Sequence, residues 1–192
     1  MLLDKSFYIR PDVVKISREL TGKYIFTKTD GKNITGGIIS ETEAYAGIND
    51  KASHAYNNKR TKRTETMFMT GGVAYVYLCY GIHSLLNIVT NKEDIPHAVL
   101  IRGIIPTDGI DIIKQRTGYK KINKNSLNGP GKVTKALGID ISHDKTPLSD
   151  NIIWMEVRNE KIPKQNITVT KRIGIDYAQE DALLPYRFVL EE

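Results

Sequence analysis

Ala74-Tyr75-Val76-Tyr77-Leu78-Cys79-Tyr80-Gly81-Ile82-His83-Ser84-Leu85-Leu86-Asn87-Ile88-Val89-Thr90 is the stretch that decides the fold. Residues 74–80 and 85–90 are rich in aromatic and β-branched side chains, and Gly81 to Ser84 supply the turn between them, so the two runs read as a β-hairpin. Side chains alternate along a strand. Tyr75, Tyr77 and Cys79 therefore share one face, and Tyr80 falls on the other, beside the turn. Large side chains next to a turn are poorly placed to join a core. They either pack across the strands or stand ready as a wedge between base pairs, a device that kinks a duplex and expels a nucleotide.

On either side the pattern continues as strands with short helices between them. Pro11 and Asp12 open a helix through Leu20, with Val13, Val14, Ile16 and Leu20 at helical spacing and Thr21-Gly22 as its stop. Residues 24–27 and 37–45 read as strands around the Asp30-Gly31 turn, and 97–104 as another. Between them, residues 46–64 form a polar, basic loop. Helices are expected over 108–116 and 132–137, the second opened by Gly129-Pro130-Gly131, and short strands over 152–157, 167–172 and 187–190. Antiparallel hairpins with helices packed around them read as an α+β fold. With no repeat and no interdomain linker, residues 1–192 read as a single domain.

The chain carries 28 Lys and Arg against 22 Asp and Glu, a net charge of +6, and that surplus is unevenly placed. Residues 51–63 hold five basic side chains and 112–139 hold seven, with no acid in either stretch. Acid-free basic stretches are what contact with a phosphate backbone requires, although a solvated loop and helix face would look the same. The single cysteine, Cys79, excludes an internal disulfide framework and a zinc site built on several thiolates, and the four histidines show no metal-ligand spacing. No metal and no cofactor are expected. Nor is a secretory signal or a membrane span, which suggests a cytoplasmic protein.

Two further patterns bear on chemistry. Glu41, Glu43 and Tyr45 lie on one strand face, with the two carboxylates about 7 Å apart. Burial of either would raise its pKa towards the range of a general acid or base. An exposed polar face on an edge strand is the alternative. Gly129-Pro130-Gly131-Lys132 is neither a P-loop, since Val133 follows the lysine, nor a helix-hairpin-helix, since Ala136 falls one position late. Its glycine-opened helix could hold a phosphate or merely be capped.

Taken in order, Glu41-Thr42-Glu43-Ala44-Tyr45, Ala52-Ser53-His54-Ala55, Met67-Phe68-Met69, Tyr75 through His83, Leu86-Asn87, Val99 through Arg102, Gly129 through Lys132, Arg172-Ile173-Gly174 and Pro185 through Phe188 resemble the alkyladenine (3-methyladenine) DNA glycosylase family of mammals and bacteria. The likeness spans nearly the whole chain. It implies a curved, mostly antiparallel sheet with surrounding helices and a protruding hairpin that enters the DNA minor groove. The activity implied is hydrolysis of the N-glycosidic bond of damaged purines in duplex DNA, by a monomer without lyase activity. By the same resemblance Glu43 is the general base and Arg102 helps to hold the attacking water. Tyr45, His54 and Tyr77 enclose the flipped base, Asn87 discriminates against the guanine 2-amino group, and Tyr80 fills the gap in the duplex. Lys59, Arg60, Arg63 and Lys132 are the candidates for contact with the DNA backbone.

This chain departs from the family at Thr61-Lys62-Arg63-Thr64, where Thr-Pro-Arg-Asn is usual, and at His83, where an aromatic is frequent. A non-catalytic nucleic-acid-binding module, with Glu41 and Glu43 on an exposed strand face, is the competing reading. A glycoside hydrolase using both carboxylates fits less well, because side chains two apart on one strand do not flank a sugar from opposite sides.

Overall fold

The computed structural model describes residues 1–149, 151–158 and 166–191. Two short helices start the chain. α1 (Lys5–Tyr8) opens where the Asp4 carboxylate accepts from the Ser6 amide, and α2 (Val13–Leu20) where Asp12 accepts from Lys15. These are N-caps, satisfying amides that the first helical turn leaves unpaired. Val13, Ile16 and Leu20, at the spacing seen in the sequence, form the buried stripe of α2. β1 (Tyr24–Thr27) and β2 (Thr35–Tyr45) follow, and then a long loop with 3-10 turns at Gly47–Asn49, Tyr56–Asn58 and Glu65–Phe68. β3 (Ala74–Cys79) and β4 (His83–Thr90) are the expected hairpin.

β5 (His97–Asp108) runs four residues past its expected end, carrying Pro106 opposite a register shift in β2 where no ladder amide is needed. α3 (Ile110–Thr117) therefore starts later than the sequence suggests, between Gly109 and Gly118, both left-handed. α4 (Pro130–Leu137) begins on its proline, and β6 (Ile153–Glu156), β7 (Ile167–Thr170) and β8 (Arg187–Leu190) complete the elements.

The eight strands described form one antiparallel sheet in the order β3-β4-β5-β2-β1-β6. β2 is its centre: β5 lines one side, while β1 takes the first half of the other and β8 the second, with β7 beyond β8. The fold is α+β, as expected. Alternation splits each strand between two faces. Ala44, Val76, Leu86, Ile88, Val99 and Ile101 look into the main core with α2 and α4. Tyr75, Val89 and Ala98 look the other way, under Ala55, Met67 and Phe68 of the long loop. That second face is where a cavity opens.

Candidate active site

Register, more than any local motif, assembles the site. Tyr75 of β3 lies opposite Asn87 of β4, Asn87 opposite Leu100 of β5, Leu100 opposite Glu43 of β2, and Glu43 opposite Arg187 of β8. Paired residues point to the same face, so one cross-strand row carries these side chains across five strands. Arg102 joins it through a bulge. Ile101 pairs with Thr42 and Gly103 with Glu41, leaving Arg102 without an opposite number. Bulges re-aim side chains in this way. The Gly129 amide holds the bulge by donating to the Arg102 carbonyl (2.7 Å), and Gly103 leaves no room for a side chain, since a Cβ there would come within 2.7 Å of Ser40 Oγ.

Glu43 is fully buried, at 0% exposure, and Glu41 nearly so, at 8%. The edge-strand alternative is thereby removed, along with the exposed face that a mere binding module would present. Glu43 Oε1 accepts from the Ile173 amide at 2.8 Å and Oε2 from the Tyr45 hydroxyl at 2.8 Å. Arg102 Nε stands between the carboxylates, 2.9 Å from Glu41 Oε1 and 3.4 Å from Glu43 Oε1. Glu41 also takes Arg187 Nε at 2.6 Å, so it anchors two arginines and leaves Glu43 the less neutralised of the pair. Burial pushes the Glu43 pKa above the usual carboxylate value, with Arg102, the Ile173 amide and the Tyr45 hydroxyl pulling the other way. A carboxylate that stays basic yet has its orientation fixed is what proton abstraction requires.

The cavity beside it measures about 400 Å³, within the range of small-molecule sites. Tyr45, His54, Tyr77, Asn87 and Arg102, all singled out in the sequence, line it. Glu43 itself stays just behind the wall, and its two hydrogen-bond donors, Tyr45 and Ile173, and its ion-pair neighbour Arg102 are all lining residues. The His54 ring packs edge-on against Tyr77, with centroids 4.6 Å apart, and His54 Nδ1 lies 3.0 Å from the Tyr75 hydroxyl. Burial and the charges of Arg63 and Lys59 lower its pKa to about 4, so the ring is neutral at ordinary pH. The Asn87 amide donates to the Tyr75 carbonyl at 3.3 Å and is held in place.

At the cavity mouth stands the hairpin tip. Tyr80 and Gly81 both have positive φ (50° and 71°), and the Ile82 amide donates to the Cys79 carbonyl. This is a tight turn of the kind that normally carries Asn-Gly. Tyr80 is 94% exposed and sits at that tip, so it belongs to the turn and not, as expected, to the strand face opposite Tyr77. The hairpin base leans on α4: Thr134 Oγ1 donates to the Ser84 carbonyl at 2.6 Å, and His83 packs against Gly131, where a Cβ would meet its ring at 3.1 Å.

Basic candidates divide by their partners. Arg60 is committed, its guanidinium bound to Glu65 and Asp94 over the Phe68 ring. Arg63 lies over the Tyr77 ring at 4.7 Å and lines the cavity mouth. Lys59 and Lys132 are exposed. Three participants were not anticipated: Tyr75, the Ile173 amide, and Tyr177, two-thirds exposed at the mouth. A backbone amide leaves no mark in a sequence; Tyr75 was visible as a neighbour of Tyr77 on one strand face. Among the described residues, no three His, Cys, Asp or Glu side chains gather as metal ligands would, and no helix is long and apolar enough to cross a membrane.

The site thus combines a buried, oriented carboxylate, a cavity lined by aromatic side chains and an exposed aromatic hairpin tip. Residues 6–192 match the family model of methylpurine-DNA glycosylase. Proteins from Chlamydia felis and Chlamydia pneumoniae are 47% and 46% identical to the chain over 190 residues, covering 98% of it and 96% and 95% of their own lengths. One from Clostridium perfringens is 40% identical over 200 residues, covering 100% of the chain and 97% of its own length. Each is named "Putative 3-methyladenine DNA glycosylase". The chain belongs to the methylpurine-DNA glycosylase family.

Proposed function

We propose that residues 1–192 act as one monofunctional glycosylase domain of base excision repair, working as a monomer in the cytoplasm on duplex DNA. It flips a damaged purine of the 3-methyladenine, 7-methylguanine, hypoxanthine and ethenoadenine class into the cavity and hydrolyses its N-glycosidic bond. The observation that carries this is the cross-strand row that sets Glu43 behind the cavity with both oxygens oriented. Ionised, a carboxylate offers about four acceptor positions. The Tyr45 hydroxyl and the Ile173 amide occupy two, one on each oxygen, which leaves room for a water.

That water attacks C1′ of the flipped nucleotide and gives its proton to Glu43, whose raised basicity favours the transfer. As the base departs, the sugar develops oxocarbenium character, and the same carboxylate stabilises the positive charge in a water-poor site. Arg102, held by Glu41, keeps Glu43 in place. Tyr45 on one side and His54 with Tyr77 on the other enclose the base. Neutral His54 adds no repulsion to a cationic alkylpurine. Asn87 meets the purine edge and disfavours a 2-amino group. Tyr80, at the hairpin tip, enters the minor groove and fills the vacated space. Lys59 and Lys132 take DNA phosphates, and Arg63 adds charge at the mouth; Arg60 is already paired and is left out. No lysine is among the described residues lining the cavity, which supports hydrolysis without strand cleavage.

Glu43→Gln is the test. On duplex DNA methylated with dimethyl sulfate, release of 3-methyladenine should fall to background while binding to the same DNA persists. Release at the wild-type rate would remove Glu43 as the base.

A further inference from the structure

We infer that Arg172, clamped by Asp50, is a positioning residue for this hydrolysis, fixing the Ile173 amide and the Tyr45 ring that together hold the Glu43 carboxylate. The inference rests on Glu43 being the base. Arg172 and Asp50 form an ion pair whose side chains are 0% and 2% exposed. Arg172 Nη1 and Nη2 meet Asp50 Oδ2 and Oδ1 at 2.5 and 2.9 Å. The same fork donates to the carbonyls of Ala44 (2.8 Å) and Asp181 (3.2 Å). Its Cζ lies over the Tyr45 ring, 4.8 Å from the centroid, and 5.3 Å from the centroid of Tyr186.

Each contact has a place in the site. Ala44 is the residue between Glu43 and Tyr45, so Arg172 grips β2 at its catalytic point. Tyr45, a cavity wall, is backed by the guanidinium and gives its hydroxyl to Glu43 Oε2. Ile173, next in sequence to Arg172, gives its amide to Glu43 Oε1. Asp50 also accepts from the amides of Ala46 and Ala52, tying in the loop that carries His54. Apolar side chains of similar volume often stabilise as well as a buried ion pair, because desolvation cancels much of the attraction. What they cannot reproduce is a planar fork that fixes three chain segments at once.

Arg172→Lys keeps the charge and loses the fork and the stacking. Its expected effects are read under single turnover on dimethyl-sulfate-methylated duplex, with the folded fraction normalised by active-site titration. Base release falls on the order of a hundredfold, as for a reacting group displaced by about 1 Å, while affinity for the duplex changes far less. The acid limb of the pH–rate profile also moves. Glu43 is faced by Glu41 and Tyr45 from β2, by Arg102 from β5, and by Arg172 and the Ile173 amide from the C-terminal segment, with Arg187 of β8 reaching Glu41. Weakening one donor to the carboxylate favours its protonated form. Activity is then lost at higher pH than in the wild type, which a purely structural defect would not cause.

If Arg172→Lys does not fold, replacing Ile173 by its α-hydroxy-acid analogue removes only the amide proton and must shift the limb in the same direction. Wild-type rate and limb in either folded protein overturn the inference. Glu43→Gln, run in parallel, separates the two failures: if it keeps the wild-type rate, the reading of Glu43 falls and this inference with it. If it is inactive while Arg172→Lys matches wild type, only the role of Arg172 falls.

Discussion

Replacing Tyr80 by Asn should make the protein more stable and a worse enzyme. Tyr80 holds φ at 50° and is 94% exposed, so its side chain gains almost nothing from burial in the free protein. Left-handed backbone costs a residue with a Cβ about 1–2 kcal/mol, and Asn tolerates it better than Tyr does. The substitution should therefore stabilise by about 1 kcal/mol, or roughly 2–4 °C in Tm for a chain of this size. On DNA the sign reverses. Stacking of an aromatic on bases contributes roughly 1–3 kcal/mol, so affinity for duplex with a central lesion should fall roughly 5- to 150-fold. Thermal melts and titration of a fluorescent hypoxanthine-containing duplex read the two effects separately. A lower Tm would show that the tip is held by contacts and not strained. Unchanged lesion affinity would show that Tyr80 does not enter the duplex, whatever its conformation.

Stability at acid pH should depend on His54. In the unfolded chain it takes a proton near pH 6.5, whereas in the fold its pKa is lowered to about 4. Its contribution is therefore complete above pH 6.5 and is lost as the pH falls towards 4, by at most about 3 kcal/mol. Urea melts from pH 7 to 4.5 should show a shallower decline for His54→Gln than for wild type; parallel curves would mean that His54 is protonated in the fold. Salt titrations of DNA binding should separate the basic residues. Lys59→Ala and Lys132→Ala should each reduce the slope of log K against log salt by about one. Arg60→Ala, whose guanidinium already binds Glu65 and Asp94, should leave it unchanged; a drop of one there would show that DNA displaces those carboxylates.

Strands and helices with strong local signals were legible from the residues alone. The apolar spacing of residues 13–20, the Tyr-rich hairpin and the alternation at Glu41, Glu43 and Tyr45 all reflect one-dimensional periods, and each reappears in the structure. Less legible were elements too short to show a period, such as α1, and the true extent of β5, whose last residues are held by pairing with β2 and not by propensity. Alternation put Tyr80 on a strand face. In fact it occupies the turn, because the left-handed conformation of residues 80 and 81 ends the strand at Cys79.

By itself, then, the sequence determined which side chains share a face within the strands, where the basic charge lies and, through its resemblance, the family. It could not determine whether Glu43 is wet or buried, since that depends on β5 and β8 closing on either side of β2. Nor could it foretell the bulge that turns Arg102 between two carboxylates, or the pairing that spends Arg60 on Glu65 and Asp94. The Ile173 amide meets Glu43 across 130 residues of chain. Such contacts follow from register and chain return, which arise only when separate segments pack together. Local pattern supplied the chemical groups, and tertiary structure decided which of them meet.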